Sequence, residues 1–172
     1  AIGTRPIDIH LEGLSKLGVD FKIDNGFVRG RVKSKLIGAT MTLDFPSVGA
    51  TENIMMAASK AEGVSVINNA AQEPEINDLA NCLNKMGSKI YGAGTNSIKI
   101  VGVNNFLQTD YSIMTDRIVA GTYIIAAVML NKRFTVININ PNHLKSLIET
   151  LKSMSANLQI NENSITILPS NK

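Results

Sequence analysis

The stretch Asn96-Ser97-Ile98-Lys99-Ile100 decides the fold, because it returns 67 residues later as Asn163-Ser164-Ile165-Thr166-Ile167. In both copies isoleucine alternates with other residues, which is the pattern of a strand with one buried face. Helical segments that begin at Pro74 and Pro141 precede the two copies at nearly the same offset. The residues from Pro6 onward match half of a further copy. The chain therefore contains half a repeat followed by two whole ones.

Each whole repeat reads strand, helix, strand, helix, strand, strand. The Asn25-Gly26 pair in the half repeat is typical of a two-residue hairpin turn. The predicted segments are 41–45, 50–61, 64–69, 74–86, 89–92 and 97–102 in the first whole repeat, and 111–115, 117–130, 133–139, 142–154, 157–161 and 164–168 in the second.

The two helices of each repeat differ in their polarity. Those that begin near Pro74 and Pro141 are amphipathic, whereas Ile54–Ala58 and Tyr123–Leu130 lie in helices that are apolar nearly all round. Such a helix requires burial on every side. We therefore predict an α/β fold with the helices inside and the sheets outside.

Composition narrows the class of protein. The chain has 172 residues, 44% of them apolar, a net charge of +3 and one cysteine. A disordered protein and a disulfide framework are excluded, and the charge is too small to indicate a nucleic-acid or membrane partner. No apolar run approaches the length of a membrane span. We expect a soluble, cytoplasmic domain.

Residues with catalytic or metal-binding potential are sparse. Cys82 lies on the apolar stripe of its helix and is interpreted as a buried structural thiol. His10 and His143 have no partner at a catalytic or metal-binding spacing, so we predict surface or helix-end histidines, no metal and no cofactor. Glu73 and Glu75 flank Pro74 at a helix start, where carboxylates favour the helix dipole; acid–base chemistry is the alternative role.

Two other features indicate anion binding. Arg29, Arg31, Lys33 and Lys35 alternate along a strand, which predicts either a solvated face or a phosphate-binding surface. The segment 46–51 joins a strand to an apolar helix, and its small residues offer backbone N–H groups to an anion. A cap by Ser47 or Thr51 is compatible with that interpretation.

The run from Leu43 to Ala58 resembles the signature of the UDP-N-acetylglucosamine enolpyruvyl transferase family, enzymes of bacterial peptidoglycan synthesis. Further matches are Ile2–Asp8, Asn69-Ala70-Ala71, Glu73–Ile76, Met86-Gly87, Asp116-Arg117-Ile118 and Ala120-Gly121-Thr122. The resemblance implies two domains, each an inside-out α/β barrel of three such repeats. Residues 1–114 would then be the later part of one domain, and 115–172 the opening repeat of the other.

The resemblance also implies the chemistry. Such enzymes transfer the enolpyruvyl group of phosphoenolpyruvate to the 3′-hydroxyl of UDP-N-acetylglucosamine and release phosphate. The family's reactive cysteine would stand just before Ala1, and Val119 replaces a usual glutamate, so we expect the isolated chain to be inactive. The substrate-binding positions carried over are Arg5, Pro6, Ile7, Asp8, Ile9, Phe45, Pro46, Ser47, Val48 and Gly49.

Two other functions stay open. One is a non-catalytic module that binds a nucleotide sugar or a nucleic acid, for which the basic strand from Arg29 to Lys35 would be the binding surface. The other is a relative of the shikimate-pathway enolpyruvyl transferase, which shares the repeat. The expected partners under the first resemblance are the two substrates and the remainder of the same enzyme.

Overall fold

The computed structural model describes residues 6–170, which form two compact units that meet in sequence between Ser112 and Ile113. The assignment of these units to two domains of a longer enzyme, divided at 114–115, stays a prediction. The elements of unit 1 are α1 (Asp8–Lys16), β1 (Val19–Asp24), β2 (Phe27–Val32), β3 (Thr40–Thr42), α2 (Val48–Ala58), β4 (Val64–Asn68), α3 (Pro74–Lys85), β5 (Lys89–Tyr91) and β6 (Ser97–Val101).

Unit 2 repeats the second part of this order. A 3-10 turn at Pro141–Leu144 leads into its second helix, where the sequence predicts a single helix over 142–154. The elements of unit 2 are α4 (Arg117–Met129), β7 (Phe134–Ile137), α5 (Lys145–Ser153), β8 (Asn157–Ile160) and β9 (Ser164–Leu168).

The sheets confirm the repeat. Unit 1 has a four-stranded sheet in the order β3-β4-β6-β5, and unit 2 a three-stranded sheet in the order β7-β9-β8. Strands β4, β6 and β5 correspond to β7, β9 and β8, and all pair antiparallel. Ile98 and Ile100 of β6, like Ile165 and Ile167 of β9, are buried, as the alternation predicts.

The predicted strand over 111–115 is wrong. Residues 111–116 form no strand, although β3 at the corresponding place in unit 1 pairs parallel with β4. The hydroxyl of Tyr111 donates to the carboxylate of Asp78 on α3 at 2.9 Å. The segment is therefore held against unit 1 at the residue where the strand would begin.

The hairpin prediction is confirmed. Asp24 pairs with Phe27, which leaves Asn25 and Gly26 as the two turn residues, both with positive φ. Glycine adopts this left-handed backbone at little cost, and asparagine at less cost than other side chains. Gly92 and Gly94 form the turn between β5 and β6, also as expected.

Helix α2 contributes several residues to the buried core of unit 1. Ile54 and Met55 of α2 are fully buried, and Gly13 lets α1 approach closely, since a Cβ there would clash with Ile54. The prediction that the apolar helix α4 is buried on every side is wrong, because only one of its faces is buried. Tyr123 and Met129 are 58% and 79% exposed in the chain.

Candidate functional site

The predicted binding positions lie at the starts of two helices. Asp8 is the first residue of α1, and Val48 is the first residue of α2. Phe45 and Pro46 are exposed in the turn that leads into α2, while Ser47 and Gly49 are half-buried. Arg5 lies outside the described residues. The structure thus places the remaining predicted positions on two helix N-termini or directly before them.

Helices α1 and α2 are neighbours and run in the same direction. His10, near the start of α1, lies beside Gly49 and within hydrogen-bond distance of Asn53 of α2, whereas Gly13, further along α1, lies against Ile54. Because the contacts advance together along both helices, the two N-termini lie at the same end. Each N-terminus carries a partial positive charge and unpaired N–H groups. Asp8 places a carboxylate in the first turn of α1, whereas the first turn of α2 has no acidic residue, so the start of α2 is the one that favours an anion.

The start of α2 is capped by a neutral side chain. The hydroxyl of Ser47 accepts a hydrogen bond from the backbone N–H of Ala50 at 3.3 Å, which confirms the predicted cap. Val48 and Gly49 hold the first two N–H groups of the helix, and neither position has a partner within a helix. An anion placed here would meet no competing carboxylate from the cap.

Thr51 fixes this helix start to a neighbouring loop. Its hydroxyl donates to the carbonyl of Ser47 at 2.8 Å and accepts from the buried N–H of Ala71 at 3.1 Å. Asn69 has positive φ in the same loop, and its side chain donates to the carbonyl of Leu43 at 2.7 Å. The loop over 69–71 therefore holds both the strand end and the helix start in place.

The carboxylates of Glu52 on α2 and Glu75 on α3 lie close enough to interact. Burial of the Glu52 side chain on α2, followed by the negative charge of Glu75 on α3, raises the pKa of Glu52. Glu73 is the N-cap residue of α3, and its carboxylate accepts from the N–H of Gln72 at 3.0 Å. These observations agree with helix-start carboxylates at 73 and 75.

In unit 2 the corresponding helix, α4, is capped by a charged side chain, that of Asp116. The carboxylate of Asp116 accepts hydrogen bonds from the N–H groups of Ile118 and Val119 at 2.8 and 3.0 Å. Val119, which stands where the family resemblance expects glutamate, is 51% exposed.

Two concave surfaces, of about 420 and 410 Å³, flank α4. The first lies beside the 3-10 turn and α5, and the second is apolar and lies beside β7.

The other candidate residues are solvated or structural. Lys33 and Lys35 of the basic segment form exposed ion pairs with Asp20 and Glu62 at 3.6 and 3.5 Å. Cys82 is half-buried, not fully buried as predicted. Within residues 6–170, no three metal-ligating side chains cluster and no helix is long and apolar enough to cross a membrane.

His10 is more involved than the sequence indicates. The prediction of a surface or helix-end histidine is confirmed, because His10 is the third residue of α1. The residue is half-buried, and its Nδ1 lies 2.8 Å from the side-chain amide nitrogen of Asn53 on α2. The two residues are 43 positions apart, so no local spacing could reveal the contact. The apolar residues Ile9 and Val48 pack against the same core.

Curated proteins similar to this chain include three that carry the same enzyme name. Two curated proteins of Caldanaerobacter subterraneus subsp. tengcongensis, UDP-N-acetylglucosamine 1-carboxyvinyltransferases 1 and 2, are 54% and 51% identical over 88% and 96% of the chain. The UDP-N-acetylglucosamine 1-carboxyvinyltransferase of Halothermothrix orenii is 50% identical over 99%. The chain spans only 36%, 40% and 41% of the lengths of these three relatives.

Solved structures share the fold. The enolpyruvyl transferase NikO from Streptomyces tendae matches with a TM-score of 0.84 at 19% identity, over 98% of this chain and 43% of that one. EPSP synthase from Acinetobacter baumannii matches with a TM-score of 0.69 at 22% identity, over 96% and 40%. The fold prediction of an α/β enolpyruvyl transferase is thereby confirmed.

A family model covers the whole sequence. The model described as EPSP synthase (3-phosphoshikimate 1-carboxyvinyltransferase) matches residues 1–172. Together with the repeat, the sheet order and the curated relatives, this match shows that the chain belongs to the EPSP synthase (3-phosphoshikimate 1-carboxyvinyltransferase) family of enolpyruvyl transferases.

Proposed function

We propose that the chain is part of a UDP-N-acetylglucosamine 1-carboxyvinyltransferase. The whole enzyme would transfer the enolpyruvyl group of phosphoenolpyruvate to the 3′-hydroxyl of UDP-N-acetylglucosamine in the first committed step of peptidoglycan synthesis. Three relatives at 50–54% identity carry that name, which supports this substrate over shikimate phosphate. We place the enzyme in the bacterial cytoplasm, where a single free cysteine stays reduced.

One observation carries the proposal. The two segments that resemble the family's nucleotide-sugar contacts, 6–9 and 45–49, lie at the starts of helices that run in parallel and touch. In our assignment the diphosphate lies on the N–H groups of Val48 and Gly49, where the helix dipole favours it. Asp8 accepts a hydrogen bond from the uracil ring.

Arg5 has a separate role in this proposal. A planar guanidinium can hold a phosphate or a carboxylate through two parallel hydrogen bonds. Arg5 stands three residues before Asp8, so it precedes α1 directly. We assign it to the region where phosphoenolpyruvate meets the sugar nucleotide. The position that matches the family's reactive cysteine precedes Ala1, so for residues 1–172 on their own we expect binding without turnover.

Isothermal titration of the purified 172-residue chain with UDP-N-acetylglucosamine tests the proposal. We expect saturable binding that is lost in Arg5→Ala and kept in Arg29→Ala, a matched control that removes an exposed guanidinium from β2. Inorganic phosphate should not appear when phosphoenolpyruvate is added. Phosphate release would contradict the predicted inactivity, and absence of any UDP-sugar binding would contradict the assignment.

The same titration separates the alternatives. A nucleic-acid module would bind single-stranded RNA with a strong dependence on salt and would lose that binding in Arg29→Ala. The ion pairs of Lys33 and Lys35 weaken this alternative, because they already neutralise two of the four cations. A shikimate-branch transferase would bind shikimate 3-phosphate and not the UDP-sugar.

A further inference from the structure

The tip of the β1–β2 hairpin carries an asparagine directly before a glycine. Asn25 and Gly26 are the two turn residues, with φ of 48° and 80°. All residues from 22 to 30 are exposed, and β1 and β2 form a two-stranded sheet. A hairpin without further strands is marginally stable, and such a tip opens locally at little cost. The turn can therefore change its backbone geometry without disturbing the core of unit 1.

The groups that can react at this tip have no hydrogen-bond partners. Asp24 pairs with Phe27 across the turn, so the ladder of the hairpin ends with these two residues. Within residues 6–170, no partner is found for the side-chain amide of Asn25 or for the backbone N–H of Gly26. Both groups are therefore free to approach each other when the turn opens.

Asn131 provides a comparison within the same chain. It has the same φ of 48°, but its side-chain amide donates to the carbonyl of Ser170 at 3.2 Å and its side-chain oxygen accepts from the N–H of Ser170 at 2.8 Å. The backbone N–H that follows it, that of Lys132, donates to the carbonyl of Ala127 at 3.2 Å. A left-handed backbone therefore does not distinguish the two asparagines, whereas the free amide and the following glycine do.

The chemistry open to this pair is an exchange of one amide bond for another. Asparagine is among the thermolabile residues, because the next backbone nitrogen can attack its side-chain carbonyl. Once the N–H of Gly26 has lost its proton to a base, its nitrogen forms a bond to Cγ of Asn25, the bond from Cγ to the amide nitrogen breaks, and ammonia leaves with a proton. Glycine has no Cβ to obstruct this approach. Water then opens the resulting succinimide, at Cγ to give aspartate or at the backbone carbonyl to give isoaspartate.

We propose that Asn25 is a site of spontaneous modification, which loses its amide as ammonia and becomes aspartate or isoaspartate through a succinimide with Gly26. Aspartate tolerates the left-handed backbone and adds a carboxylate next to Asp24. Isoaspartate continues the chain through its side-chain carbon, so the turn gains a backbone atom and no longer matches a two-residue hairpin. The inference does not rest on the proposed function, because the hairpin holds none of the residues assigned to substrate.

Peptide mapping by mass spectrometry tests the site. The folded 172-residue chain is incubated in mildly alkaline buffer, which favours loss of the Gly26 proton, and the amide and acid forms of each asparagine peptide are followed over time. We expect Asn25 to convert at least about tenfold faster than Asn131, which corresponds to about 1.4 kcal/mol of activation free energy. Asn25→Gly is the matched variant, since Gly-Gly also forms this turn and has no side-chain amide to lose.

Enzymatic methylation identifies the isoaspartate. An isoaspartate-specific carboxyl methyltransferase with labelled S-adenosylmethionine should label the incubated wild-type chain and leave Asn25→Gly at background. Equal conversion of Asn25 and Asn131, or equal labelling of the two chains, would overturn the inference. Conversion of Asn25 in urea but not in native buffer would also overturn it, because the folded turn would then protect the amide. Proton–nitrogen spectra before and after incubation show whether the chain stays folded.

Discussion

Helices α2 and α4 occupy the same place in successive repeats, yet their N-termini are completed differently. Ser47 caps α2 with a neutral hydroxyl, whereas Asp116 caps α4 with a carboxylate that accepts from two backbone N–H groups. The positive end of α4 is therefore neutralised by the chain itself. The first turn of α2 contains no acidic residue, and we propose that its positive end is the one that binds the ligand.

The two helices also differ in what covers them. Met55 and Ile124 correspond and are both fully buried against their sheets, but Ile54 is fully buried and the corresponding Tyr123 is 58% exposed. Helix α1 of the half repeat covers Ile54 through the close approach at Gly13. Within the part of unit 2 that the structure describes, no helix plays the role of α1.

Because α2 is packed on more sides than α4, substitutions in the two helices should differ most in their effect on the free energy of unfolding. Ile54→Ala should lower the free energy of unfolding by about 2–5 kcal/mol, because it removes a fully buried side chain from a packed core. Tyr123→Ala should cost about 1 kcal/mol or less, since the ring contributes mainly its stacking on Phe134. Urea unfolding of both variants measures this, and equal losses would contradict the comparison.

The second-largest expected effect is a loss of ligand affinity when the cap residue of α2 is replaced by that of α4. Ser47→Asp gives α2 the carboxylate cap of α4, which competes with the diphosphate for the same N–H groups. We expect affinity for UDP-N-acetylglucosamine to fall by about tenfold, or about 1.4 kcal/mol, while the thermal midpoint holds or rises. Calorimetric titration measures the affinity, and Ser47→Asn, a neutral cap of similar reach, is the control. Unchanged affinity would mean that the ligand does not use this helix start.

Removal of the cap from α4 should affect stability alone. Asp116→Ala leaves the N–H groups of Ile118 and Val119 without their acceptor and should cost about 0.5–2 kcal/mol of unfolding free energy. Asp110→Ala is the matched control, because only its backbone carbonyl is hydrogen-bonded, to Lys85. Weaker UDP-sugar binding in Asp116→Ala would contradict the division of roles between the two helices.

Glu52 gives the smallest expected effect. Burial and the charge of Glu75 raise its pKa in the folded state, so the ionised form is disfavoured by folding. Glu52→Gln should therefore stabilise the chain at pH 7, and the gain should shrink as the pH falls through the raised pKa and vanish below about 4.3. Thermal unfolding between pH 3.5 and 7 checks the sign, with exposed Glu12→Gln as the control. A gain that grows at low pH would contradict it.

Much of the fold follows from local pattern. The helix from Pro74 and the strands around Ile98 and Ile165 lie within one or two residues of their predicted bounds, because proline, glycine and alternating isoleucine act locally. The strand at 111–115 was predicted from its neighbours in the repeat. It fails because Tyr111 is bound to Asp78, a partner 33 residues away that periodicity does not identify.

In the candidate site, too, some features follow from local sequence and others depend on distant contacts. The cap by Ser47, and the N–H groups after it that have no partner within the helix, follow from the residues at a helix start. The parallel contact of α1 and α2 and the contact of His10 with Asn53 depend on tertiary packing across more than 40 residues.

The hydrogen bond from Tyr111 to Asp78 also bears on how the gene can be divided. Leu107 donates to Met86, Lys85 to Asp110 and Tyr111 to Asp78, so residues 103–111 complete unit 1 although they form no helix or strand. A reading frame that stops after Val101, where the last strand ends, would expose the surface these residues cover. A reading frame that stops after Ser112 would keep every one of those bonds.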